Sequence, residues 1–113
     1  MTIRITISDR AQIRVRGSNV NDVGASEAFD FRLTVKRLDD DTLKSTMVDL
    51  AANHGRINDF LADVVLGWHG VLDDQGDEVP FSAGALVQLL RHTGLPLLIL
   101  KAYNNEVQAK EKN

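Results

Sequence analysis

Three stretches in the first third of the chain alternate strictly between apolar and polar residues. Ile3, Ile5 and Ile7 oppose Arg4 and Thr6; Ala11, Ile13 and Val15 alternate with Gln12, Arg14 and Arg16; Phe29, Phe31, Leu33 and Val35 alternate with Asp30, Arg32, Thr34 and Lys36. A period of two puts successive side chains on opposite faces of a strand. The pattern therefore predicts a small antiparallel sheet of three strands that buries one face. Ser8-Asp9-Arg10 offers a turn between the first two strands, and the Gly, Ser, Asn and Asp of Gly17–Ser26 predict a loop before the third.

From Leu38 onward the period becomes helical. Asp39 suits an N-cap, with Asp40 and Asp41 at the positive end of the helix dipole. Leu38 and Leu43 occupy the positions of a hydrophobic staple. Leu43, Met47, Leu50 and Ala51 form the stripe, and Gly55 is placed for a left-handed helix end. Ile57, Phe60, Leu61, Val64, Val65 and Trp68 continue at helical spacing, which predicts a second helix from about Arg56 to Leu66 ending on a tryptophan anchor. Trp68 and Phe81 are assigned to the core. Asp73-Asp74-Gln75-Gly76 then has hairpin-turn chemistry. Ser82 caps a third helix bearing Leu86, Leu89 and Leu90; Thr93-Gly94 stops it, and Pro96 opens a fourth. The expected fold is α+β: a small antiparallel N-terminal sheet, then about four mostly C-terminal helices, with a short hairpin after Trp68. One domain spans residues 1–113, strand-rich over 1–37, helical over 38–108, with a frayed tail over 109–113.

Leu97-Leu98-Ile99-Leu100 is apolar all round the first turn of the fourth helix, more than a one-sided helix needs. Two readings stay open. Part of the set Leu97, Leu98, Ile99, Leu100, Tyr103 and Val107 contacts an oligomer mate or client, or the whole set fills the core.

Composition narrows the function more than it identifies it. The chain has 113 residues, 43% of them hydrophobic, and no cysteine. Disulfides, thiolate metal sites and cysteine nucleophiles are thereby excluded. No apolar run is long enough to span a bilayer, and the amino terminus has no hydrophobic signal core, so a cytoplasmic protein is expected. Net charge is −3, unevenly distributed: residues 1–37 carry seven Lys and Arg against four Asp and Glu, and residues 38–113 carry six against twelve. Arg4, Arg14, Arg16, Arg32 and Lys36 could share one sheet face, but without interleaved aromatics they make a poor nucleic-acid surface.

Candidate chemistry is sparse. His54, His69 and His92 lie far apart beside glycines or expected helix ends, where capping or solvation explains them better than metal does. The acidic turn at 73–78 fails the calcium-loop pattern in both its glycine and its glutamate positions. Asp39-Asp40-Asp41 reads as a cap, and no phosphate-binding or nucleophile-elbow motif is present. No catalytic residue, metal or cofactor is expected.

The order of these elements, and above all Trp68, Gly70, Val71, Asp73, Gly76, Pro80, Phe81 and Ser82 followed by Ala102-Tyr103, resembles the tail assembly chaperones of long-tailed bacteriophages and prophages. The resemblance covers roughly residues 28–105. It implies a non-enzymatic protein of the bacterial host cytoplasm that binds the long tape measure protein and keeps it soluble. Such a protein also helps bring tail tube protein to the growing tail, self-associates, and leaves before the virion is complete. It implies too that a longer form can arise by frameshifting, for which the lysine-bearing end Ala109-Lys110-Glu111-Lys112-Asn113 is compatible. The alternatives are a structural tail completion or connector protein, and a small nucleic-acid-binding module using the basic sheet.

Overall fold

The alternation at residues 11–15 and 29–35 becomes a long antiparallel ribbon, β1 (Arg10–Val20) and β2 (Ser26–Lys36), in the computed structural model, which describes residues 2–111. Its register runs unbroken from Arg10 opposite Lys36 to Val20 opposite Ser26. Ile13, Val15, Phe31, Leu33 and Val35 turn into the core, while Gln12, Arg14 and Arg32 stay exposed. The loop expected over Gly17–Ser26 shrinks to Asn21–Ala25, where the Asn21 side-chain oxygen accepts from the Val23 and Ala25 N–H groups and Gly24 has φ 81°. Gly17 stays in the strand for a steric reason. A Cβ there would lie 2.6 Å from the tip of the Phe29 ring, so glycine marks a close approach rather than a turn.

The third strand is not the one expected. Residues 3–7 form no strand, and Ile3, Ile5 and Ile7 lie exposed. The place beside β2 belongs instead to β3 (Val65–His69), which pairs antiparallel with Leu33 opposite Trp68 and Arg32 opposite His69. The sheet order is β1-β2-β3. The Arg37 N–H donates to the Asp9 carbonyl at 2.8 Å, which fixes Asp9 beside Arg37.

α1 (Asp40–Ala52) begins as expected, with the Asp39 carboxylate accepting from the Thr42 N–H at 2.8 Å. Leu43 and Leu50 are buried, Leu38 and Met47 half-buried, and Ala51 is exposed, so the stripe is narrower than predicted. Gly55 does not adopt the left-handed conformation; it lies in a 3₁₀ turn, His54–Arg56, which leads into α2 (Ile57–Val64). That helix stops before the predicted Leu66. Val65 is already extended (φ −80°, ψ 121°), and the chain passes into β3 without a loop. Trp68 therefore stands on a strand inside the segment expected to be helical, and it is half-buried at the margin of the core rather than inside it.

α3 (Ala83–Leu89) is capped by the Ser82 hydroxyl, which accepts from the Ala85 N–H, and α4 (Leu95–Glu106) follows Gly94 at φ 81° with Pro96 in its first turn. α4 packs on β1 and α2. The result is an α+β fold: a three-stranded antiparallel sheet, four helices, and one continuous core from Ile13 to Val107. A Cα radius of gyration of 15.4 Å exceeds the roughly 13 Å of a compact chain this long. The excess fits the exposed arm and the far end of the β1–β2 ribbon, where Ser18–Val20 and Ser26–Ala28 are exposed.

Candidate functional site

The residues of the Trp68 motif come together, and what they build is a support. The Trp68 indole N–H donates to the Val79 carbonyl at 2.7 Å, and its ring meets Phe81 edge-on at 5.0 Å between centroids. The Val79 N–H in turn donates to the Val71 carbonyl. Asp73 accepts from the Gln75 and Asp77 N–H groups through its side chain, with Gly76 at φ 81° closing the turn. Gly70, at φ 89°, donates its N–H to Glu78, which also meets the His69 ring nitrogen at 3.1 Å. Pro80 is exposed and leads into the half-buried Phe81. This hairpin repeats the geometry of the Asn21–Ala25 turn: an Asn or Asp first, a left-handed glycine fourth, and a backbone bond closing first to fifth residue. Gly76 comes fourth because that turn needs it there.

The α4 candidates divide. Ile99, Tyr103 and Val107 fill the core, as does Leu100; Leu98 is half-buried against it, and Leu97 alone stands clear at 39% exposure. Ile99, Tyr103 and Val107 are thus buried within the chain itself. The Tyr103 hydroxyl donates to the Lys36 carbonyl at 2.7 Å, and its ring packs edge-on against Phe60 at 5.5 Å. Burial pushes the Tyr103 hydroxyl pKa up, with Arg37 opposing. Arg37 itself donates to the carbonyls of Ser8 and Val107, tying the strand end to both the arm and the end of α4. Nothing in the sequence pattern singles out that bracing role.

The polar face of the sheet carries Arg14, Arg16 and Arg32, relieved by Asp30. Arg14 grips Asp30 through two guanidinium nitrogens, one at 2.9 Å, and this hydrogen bond holds the Asp30 carboxyl below the usual carboxylate range. Lys36 lies 3.6 Å from Asp63. His54 in the 3₁₀ turn, His69 on β3 and His92 in the turn between α3 and α4 are all exposed. Among the described residues no group of three or more His, Cys, Asp or Glu is placed to hold a metal. Asp39 is a cap and Asp40 pairs with Lys44 at 2.8 Å, so the acidic triplet diverges. Of the lysine-bearing end, Lys112 and Asn113 lie outside the described residues.

The surface therefore offers apolar side chains rather than convergent polar groups. Ile3, Ile5 and Ile7 are exposed on one arm, Val20 and Val23 at the ribbon tip, and Leu97 on α4. The isoleucine signal was visible in the sequence as an alternation; its lack of a strand partner was not. No helix among the described residues is long and apolar enough to cross a membrane. Comparison with models of protein families, with curated proteins and with solved structures finds no match.

Proposed function

We propose that this protein is a tail assembly chaperone of a long-tailed phage or prophage. It would act in the host cytoplasm, hold the tape measure protein in soluble form, assist its meeting with tail tube protein, and leave before the virion is complete. The sequence resemblance over residues 28–105 is the origin of this reading. The observation that carries it is the pairing of exposed apolar side chains on an arm and a ribbon tip with a core that buries no polar or charged residue among those described. A chaperone for a long apolar client needs accessible apolar surface more than a pocket.

The test is co-expression with the tape measure protein encoded beside this gene. A soluble client that copurifies supports the reading. An insoluble, unbound client overturns it. Mass spectrometry of purified virions is the second arm: presence of this chain in the mature particle identifies a structural tail component instead.

A further inference from the structure

Ile3, Ile5 and Ile7 have relative exposures of 96%, 102% and 72%, yet they alternate with Arg4 and Thr6 as a half-buried strand would. The arm has the composition of a strand and lacks a sheet. The same protein has an open sheet edge. Bonds between Asp9 and Arg37 at one end and Asn21 and Ala25 at the other show that β1 pairs with β2 through its odd-numbered residues. In an antiparallel pair the intervening residues turn their N–H and C=O groups the opposite way. Two of these outward N–H groups are already occupied: Ser8 accepts from Arg10, and Glu106 accepts from Arg14. The outward groups of Arg16, Ser18 and Val20 bond to nothing among the described residues. Beside them Phe29 and Leu98 converge on Gly17, within 2.6 and 3.1 Å of where its Cβ would be, and leave a half-buried apolar floor at the level of the edge.

We infer that residues 3–7 of one copy add as a fourth strand to the Arg16–Val20 edge of a second copy. The isoleucines lie toward Phe29 and Leu98, and Arg4 and Thr6 share the polar face with Arg16 and Ser18. The five-residue arm is about 16 Å long in extended form, and setting its isoleucines on the face of Gly17 brings Arg4 and Thr6 opposite even-numbered edge residues, one residue out of flush with Arg16–Val20. A chain's own arm does not reach this edge. Turning back at Ser8–Arg10, residues 3–7 would lie beside residues 11–15 and would have to displace Glu106 from Arg14. An arm from another copy carries no such tether, and strand addition relies on main-chain bonds with pockets for alternate side chains. The inference goes beyond client binding and is tested without a client, so either reading can fail alone.

The test uses the purified full chain. Light scattering on the native protein should give a mass above the 12.5 kDa of one chain. Ile5→Asp should return it to one chain with unchanged circular dichroism, because Ile5 makes no contribution to the core. The absence of native cysteine allows a direct check. Thr6→Cys protein is mixed with Arg16→Cys, Ser18→Cys or Val20→Cys protein under mild oxidation. A disulfide-linked heterodimer in at least one mixture, lost when Ile5→Asp is added to the Thr6→Cys chain, supports arm exchange. A native protein that is monomeric at every concentration overturns it. So does an Ile5→Asp protein of undiminished mass, or a set of mixtures in which no heterodimer forms.

Discussion

The carboxylate of Glu106, in the last turn of α4, accepts a hydrogen bond from the backbone N–H of Arg14 on the outer edge of β1 at 3.0 Å, across 92 residues of chain. An unpaired strand edge is a template for uncontrolled pairing, and proteins blunt it with charge or cover. Here one side chain does both, occupying a donor at mid-strand and setting a negative charge against the edge. Glu106→Ala should expose a continuous edge from Gln12 to Val20 and produce species larger than the native assembly. Glu106→Gln keeps an acceptor and should stay closer to native. Light scattering on both variants checks this, and repeating it with Ile5→Asp separates edge-to-edge growth from arm exchange. Equal mass distributions for all three proteins would show that Glu106 does not guard the edge.

Trp68 joins β3 to the hairpin that follows it, through one hydrogen bond and one aromatic contact. Trp68→Phe keeps most of the apolar contact and loses the donor to Val79, a net cost of about 1 kcal/mol. Trp68→Ala also loses the contact with Phe81 and should cost about 3 kcal/mol, the low end for a large aromatic because the ring is half-buried. Urea unfolding followed by far-ultraviolet circular dichroism is the appropriate measurement, since these variants have no tryptophan. Equal midpoints for native and Trp68→Ala protein would remove Trp68 from the account of stability.

The sequence reveals β1, β2 and the caps at Asp39 and Ser82 because each is specified locally: by alternation, or by one side chain that satisfies nearby N–H groups. It misplaces the third strand because two segments compete for β2 and only tertiary packing chooses. Ile3–Ile7 has the better pattern; Val65–His69 has the better position, delivered directly by α2 with its own core residues Val64 and Val65. The helical reading through Trp68 fails for the same reason. Ile57, Leu61 and Val64 do share a face, and Val65 and Trp68 fall at matching spacing by coincidence, since strand residues facing the same core also read as apolar. The loop is shorter than the composition of Gly17–Ser26 predicts, because glycine in a strand and glycine in a turn look alike in sequence and only the Phe29 ring beside Gly17 tells them apart. Glu106 on the β1 edge carries no local signal at all.

Tyr103 makes stability fall at high pH. Burial raises its hydroxyl pKa above the ordinary 10.0, so the folded protein holds the proton more tightly than the unfolded chain. The contribution is fully present below pH 10.0, declines as pH rises past that value, and is lost once pH passes the raised folded value. Tyr103→Phe removes this dependence along with the bond to Lys36, at a cost of about 1 kcal/mol at neutral pH. Urea midpoints measured from neutral to strongly alkaline pH should converge for the two proteins as pH rises. Parallel curves would mean that the hydroxyl titrates alike in the folded and unfolded states.

Two residues within one turn of α4 give the sharpest separation of core from surface. Ile99 has no exposure and Leu97 has 39%, though both belong to the same apolar run. A carboxylate at position 99 would be buried without a partner, since no buried polar group among the described residues is there to receive it. Ile99→Asp should therefore leave the chain unfolded, shown by loss of the cooperative urea transition. Leu97→Asp places the same charge largely in water and should shift stability by less than about 1 kcal/mol. If Leu97→Asp stays folded but loses the tape measure protein in co-purification, Leu97 belongs to the client surface. If it retains the client, Leu97 lies outside the client surface, and its exposure on α4 serves no client contact.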